Sequence, residues 1–141
     1  MLSLETARTI IRGALAEAAT RQLNPLAVAV LDAGGALKAF ERQDGTSMLR
    51  FEIAFGKAFG ALAVGRGSRW LDQQAASRPH FLEGLSGVSG GRIVPVPGGV
   101  LIRDASGALL GAVGITGDTS DNDEAAALAG IETAGLRGQA D

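Results

Sequence analysis

The string Asp-Ala-x-Gly-Ala-Leu occurs twice in this chain, each time between two apolar runs. The first copy, Asp32-Ala33-Gly34-Gly35-Ala36-Leu37, follows Leu26-Ala27-Val28-Ala29-Val30-Leu31. The second, Asp104-Ala105-Ser106-Gly107-Ala108-Leu109, follows Val100-Leu101-Ile102-Arg103 and leads into Leu110-Gly111-Ala112-Val113. A β-rich run, a short turn carrying Asp and Gly, and a further β run spell a hairpin. Asp suits such a turn because its side chain bonds nearby backbone N–H groups, and Gly because it accepts positive φ. Hairpins over 26–42 and 100–117 imply an antiparallel sheet, and both Asp residues are read as turn residues.

Helical patterns flank these hairpins. Ser3 is placed to cap a first helix whose Leu4, Ala7, Ile11, Ala14, Leu15 and Ala18 share one face, and Asn24-Pro25 ends it. A second helix, 48–64, is apolar nearly all round, which requires burial on several sides, in a core or under a second subunit. Its Gly56 and Gly60 stand four apart and admit another backbone at close range. Between 65 and 91 the pattern predicts short helical pieces around Trp70-Leu71 and Phe81-Leu82, with Pro79 opening one of them. Ile93-Val94-Pro95-Val96-Pro97 is too rich in proline for a central strand and reads as an edge strand or an extended arm. Asp121 and Glu124 form a capping-box-like start to a last helix over 122–135. The predicted order is α-β-β-α-(short α)-β-β-β-α, helices packed on an antiparallel sheet.

Composition excludes several classes. At 141 residues, 46% of them hydrophobic, the chain is expected to form one domain with its own core. A net charge of −2 with scattered Lys and Arg provides no nucleic-acid footprint. No apolar stretch approaches the ~20 residues of a membrane span, and Met1-Leu2-Ser3-Leu4-Glu5-Thr6 is no secretory leader. The absence of cysteine rules out disulfides and thiolate metal sites, and the default is a soluble cytoplasmic protein. There is no phosphate-binding G-x-x-x-x-G-K-[ST] and no complete dinucleotide fingerprint. A single histidine, His80, rules out H-E-x-x-H, and no G-x-S-x-G accompanies it for a serine triad.

Five further pieces, in this order and spacing, carry a resemblance over nearly the whole chain: Pro25 to Gly35; Glu52-Ile53-Ala54 with Lys57-Ala58; Gly98-Gly99-Val100-Leu101-Ile102; Gly111-Ala112-Val113-Gly114-Ile115-Thr116-Gly117; and Asp123-Glu124 with Ala129-Gly130-Ile131. Together they resemble the GlcG/HbpS family, and the C-terminal domain of some PduO-type corrinoid adenosyltransferases. The resemblance implies an α+β fold, a profilin-like three-layer α/β/α with a five-stranded antiparallel sheet, usually in a homo-oligomer. It also implies a ligand, since some members bind haem while others accompany catabolic enzymes. Some haem-binding relatives are associated with a histidine on the first helix; this helix has none. Of the side chains that ordinarily hold haem iron, the chain offers His80, Met48 and Met1, with Lys57 a remote option; no other metal site is expected.

Among charged residues, Lys57 stands out because apolar neighbours surround it. A lysine there must pair or shift its pKa downward. It reads either as an anion-binding or Schiff-base group at a pocket floor, or as a structural cation. A structural Lys57 would pair with Glu52, Asp44 or Asp32 from a neighbour, or snorkel to solvent. Gly98-Gly99 either presents N–H groups to an anion or lets a strand start close to another backbone. Arg42 either clamps a carboxylate or joins a surface salt bridge. Asp123 and Glu124 read as helix-start residues facing the dipole.

Three functional readings follow. The first is a small-molecule-binding protein, its ligand haem or a small carboxylate, in a subunit-interface pocket near Arg42, Lys57, His80, Gly98 and Gly99. The second is a catabolic lyase, deaminase or isomerase using Lys57. The third is a structural oligomerisation module.

Overall fold

The computed structural model describes residues 1–141, and a five-stranded antiparallel sheet forms its middle layer. The elements in order are α1 (Leu4–Arg21), β1 (Ala27–Asp32), β2 (Leu37–Arg42), α2 (Arg50–Val64), α3 (Ser68–Ser77), α4 (Pro79–Val88), β3 (Gly99–Arg103), β4 (Leu109–Thr116), α5 (Ser120–Thr133) and β5 (Arg137–Gln139). The strands lie in the order β2-β1-β4-β3-β5, every neighbouring pair antiparallel. The fold is therefore α+β with three layers, α/β/α.

Strand alternation sorts the two faces. Val28 and Val30 of β1, Val100 and Ile102 of β3, and Val113 and Ile115 of β4 join Ile10, Ile11 and Ala14 of α1 and Ile131 of α5 in one core. Ala27, Ala29, Leu31, Leu101 and Ala112 point the other way, onto Ala54, Ala58 and Ala61 of α2. This second core is built from small side chains, so α2 lies very close to the sheet. At Gly114 a Cβ would collide with the Ala54 carbonyl oxygen, which is why a side chain is missing at that point of a central strand.

Both repeated strings are the hairpin turns their composition predicts. Asp32 Oδ1 accepts from the N–H groups of Gly34 and Ala36, each at 3.0 Å. Asp104 Oδ1 does the same for Ser106 at 2.9 Å and Ala108 at 3.0 Å, and also accepts from the Ser106 hydroxyl. Gly35 and Gly107 take nearly the same positive φ, 85° and 88°. The hydroxyl and amide bonds hold the Asp104 carboxyl below its ordinary pKa.

Three expectations are corrected. The segment 93–97 supplies no strand: the fifth strand is β5, which follows the last helix and pairs with β3. Pro95 and Pro97 lack the N–H that a ladder needs, and the segment runs as an arm along α2, with the Val94 N–H donated to the Gly56 carbonyl at 3.2 Å. The last helix starts at Ser120, capped by Thr119, whose side chain accepts from the Asn122 N–H, so Asp121 is inside the helix and free to pair with Arg69. The short pieces between 65 and 91 are two full helices of ten residues, and Pro79 is the first residue of α4 as predicted. No helix is long and apolar enough to cross a membrane.

The close seat of α2 makes a defined demand on the sheet. Gly114→Ala is expected to lower stability by about 1–3 kcal/mol through overpacking, read as a lower urea midpoint with an unchanged m-value.

Candidate functional site

Three of the five residues singled out from the sequence, Lys57, Gly98 and Gly99, meet at one end of the sheet. Lys57 leaves the sheet-facing side of α2 and is only 2% exposed. Its Nζ donates to the Ile115 carbonyl at 2.9 Å and to Asp123 Oδ2 at 3.2 Å. Asp123, 1% exposed, accepts a second bond at Oδ1 from the Asp118 N–H at 3.0 Å. Lys57 thus pairs with Asp123, and not with Glu52, Asp44 or Asp32. Burial pushes Lys57 below its ordinary pKa, opposed by the Asp123 charge. It pushes Asp123 above its own, opposed by Lys57.

Gly98 and Gly99 wrap this lysine. A Cβ on Gly98 would stand 2.9 Å from Lys57 Nζ and 2.6 Å from the Ile115 carbonyl oxygen, at a φ of +123°. A Cβ on Gly99 would collide with the Lys57 carbonyl, and its N–H is donated to Ser68 Oγ at 2.7 Å. The glycine pair lets β3 begin against the α2 backbone. None of the surface concavities reaches Lys57, Asp123, Gly98 or Gly99.

Arg42 and His80 lie apart from this cluster. Arg42 is exposed at the end of β2, in a shallow polar concavity with Leu23, Pro25, Gln43 and Asp44, and makes no ion pair. His80 is exposed on the first turn of α4, a helix that buries none of its residues, and lines no concavity.

A second site is an apolar groove of about 370 Å³ on the outer side of α2. Leu49, Phe51, Ile53 and Phe55 form one wall; Gly91, Arg92 and Val94 form the other, with Glu52 also in the lining. The groove exists because the arm rests on α2. A Cβ on Gly56 would meet the Arg92 carbonyl oxygen at 2.6 Å, so glycine there sets the separation of the walls. The backbone admitted at Gly56 is therefore the chain's own, at Arg92, whereas Gly60 makes room for the side chains of Ile93 and Leu71. Along α2 the rings continue as a row, Phe51 tilted against Phe55 at 6.0 Å and Phe55 stacked on Phe59 at 5.8 Å, with Phe40 edge-on to Phe51 at 4.9 Å. Arg92 caps the row: its guanidinium carbon lies 4.3 Å from the Phe59 ring centre, and its Nε donates to the Ser89 carbonyl at 2.8 Å.

Sequence reasoning missed Asp123 and Arg92. The signal for Asp123 was present: Asp123, Ala126, Ala127, Gly130 and Ile131 follow one another at i, i+3, i+4, i+7 and i+8, the stripe that a helix buries. Arg92 follows two glycines and carries no local pattern.

An antiparallel five-stranded sheet between α1/α5 and α2 defines the class of fold, and the sequence comparison agrees. The chain belongs to the HbpS-like family, described as haem-degrading protein HbpS-like, whose sequence model matches residues 2–132. No curated protein matches it. Among solved structures it is similar to PduOC, crystallised as a haem complex, with 26% identity, a TM-score of 0.85 and 96% of each chain covered. It is also similar to a double mutant of HbpS from Streptomyces reticuli, with 28% identity, a TM-score of 0.80, and 94% of this chain and 86% of that one covered. ORFY of Klebsiella pneumoniae, 23% identical with a TM-score of 0.82 over 94% of this chain and 90% of that one, shares the fold.

The buried pair makes a testable demand. Lys57→Met leaves a buried carboxylate without its cation and is expected to cost about 3–5 kcal/mol, most of it recovered in Lys57→Met/Asp123→Asn. In the single variant the folded state holds the Asp123 proton above the ordinary value of 3.8. Its stability is then greatest below that value and falls as pH rises through the raised pKa, which urea titrations in acid and at neutrality will read.

Proposed function

We propose that residues 1–141 make up a single small-molecule-binding domain of the HbpS type, working as a cytoplasmic homo-oligomer. Its ligand is an apolar molecule bearing a carboxylate, haem foremost, bound in the groove between α2 and the 91–94 arm. The observation that carries this reading is the groove itself. Its volume of about 370 Å³ falls within the ~300–1,000 Å³ of ordinary ligand sites, and its apolar walls carry a cation at the lip. The haem complex of PduOC and the description of the family support haem as the first ligand to try. With no cysteine in the chain, nothing in the fold calls for an oxidising compartment.

The residues present fit haem only in part. Aromatic and aliphatic side chains fit the flat porphyrin, and the Arg92 guanidinium fits a propionate. The iron is not served: no imidazole, thiolate, thioether or phenolate lines the groove, His80, Met48 and Met1 are not among its lining residues, and Lys57 is enclosed and already paired. The enclosure of Lys57 equally removes support from an enzyme that uses it as base or nucleophile, since no concavity brings a substrate to Nζ.

Oligomerisation rests on the surface around the groove. Met48 is 82% and Leu49 57% exposed beside half-buried Phe51 and Phe55, an apolar patch of the kind that a second subunit covers. A second copy seated there closes the groove from above.

Titration with haemin is expected to shift the Soret band, with His80→Ala unchanged and Phe55→Ala weakened by about tenfold. No shift in the parent protein removes haem, and an unchanged Phe55→Ala moves the site elsewhere. Analytical ultracentrifugation is expected to find an oligomer that Leu49→Glu breaks into monomers; a monomeric parent overturns the interface.

A further inference from the structure

Resting on the groove reading above, we infer that this chain holds its ligand by an apolar face and a carboxylate edge and not through a metal. A metal-free porphyrin dicarboxylate therefore binds as tightly as haem, with Arg92 as the specificity-determining residue.

Arg92 is built for this task before any ligand arrives. Its backbone is held where the arm meets α2, next to the bond from the Val94 N–H to the Gly56 carbonyl. Its Nε is already committed to the Ser89 carbonyl at 2.8 Å, and the plane is anchored over Phe59 at 4.3 Å. Both terminal nitrogens remain without an acceptor in the protein, so one face of the fork is satisfied and the other is open. A guanidinium fixed in this way presents two parallel donors, the arrangement that matches a carboxylate, and it has little rotamer freedom left to lose.

The remaining polar group in the lining works in the opposite direction. Glu52 is exposed, makes no hydrogen bond or ion pair, and shares the groove with Arg92. Its charge repels an anionic ligand and penalises one whose carboxylates approach the wrong end. The two residues therefore act in opposition on an anionic ligand, Arg92 drawing its carboxylate in and Glu52 weakening its hold. The lining offers a metal at the centre of such a ligand no imidazole, thiolate, thioether or phenolate, so the metal does not decide the choice.

Calorimetric titration of the intact protein with haemin, with protoporphyrin IX and with its dimethyl ester tests this. The two free acids are expected to agree within about threefold, and the ester to bind about tenfold more weakly or worse. Arg92→Gln is expected to weaken both acids by about tenfold and abolish the preference over the ester, Arg92→Lys to restore part of it, and Glu52→Gln to tighten both acids. Both side chains are exposed, and unchanged thermal melting shows that the variants fold. Haemin binding without protoporphyrin binding overturns the inference and leaves the groove reading standing. Undiminished preference for the acid in Arg92→Gln overturns the role of Arg92. Failure of every porphyrin to bind removes the groove reading, and the inference with it.

Discussion

The Lys57–Asp123 pair is the buried ionic contact that joins the two helical layers at the end of the sheet, with Arg69 of α3 joining Asp121 and Glu124 of α5 nearer the surface. Lys57 belongs to α2 on one face, Asp123 to α5 on the other, and the ammonium group passes the end of β4 by way of the Ile115 carbonyl. An ammonium and a carboxylate out of water are costly, so such a pair is a weak source of net stability. Its value is geometric. Close packing at Gly114 sets how near α2 lies to the sheet, and two enclosed charges that must meet fix its position along the sheet as well. The start of β3 at Gly98-Gly99, the seat of α2 and the entry of α5 all converge on these few atoms.

From that anchor the character of α2 follows. Its inner face must be small, because the helix has to lie close enough to the sheet for Lys57 to reach round the end of β4; Ala54 and Ala58 on that face meet Gly114, and Ala61 joins them in the same small-residue core. The bulk of the helix is thereby displaced outward, into the row Phe51, Phe55 and Phe59. A sheet-facing helix ordinarily hides its aromatic residues. Here they line the groove and the apolar surface next to it. The packing requirement on one side of the helix creates the binding surface on the other.

What was legible in the sequence was local. The two Asp-Gly turns, the stop at Asn24-Pro25 and the apolar runs of β1 and β4 each depend on residues within a few positions of one another. The isolation of Lys57 in an apolar run showed that it must find a partner. The identity of that partner depends on residues 66 positions apart brought together by the layering, and no local rule ranks Asp123 above the other acids. The cap told a similar story: Asp121 and Glu124 mimic a capping box, yet Thr119 wins, and that shift turns Asp123 inward. β5 was missed because three residues, Arg137 to Gln139, carry too little pattern to be read as a strand without β3 beside them. Likewise Arg92 gains its meaning only when the arm lies on Gly56.

The sheet is chemically polarised along its strands. β1 and β3 run in the same direction, so both Asp turns sit at one end, while Lys57, Asp123 and the glycine pair occupy the other. Each turn satisfies its own backbone and owes nothing to distant parts of the chain. That end can therefore be rebuilt independently. Lengthening the loop at Ala33-Gly34 or Ala105-Ser106 adds only about 0.6 kcal/mol of closure entropy per doubling, and leaves the buried charges untouched. For anyone wishing to splice a reporter or a second module into this scaffold, the duplicated string marks where the chain can be opened.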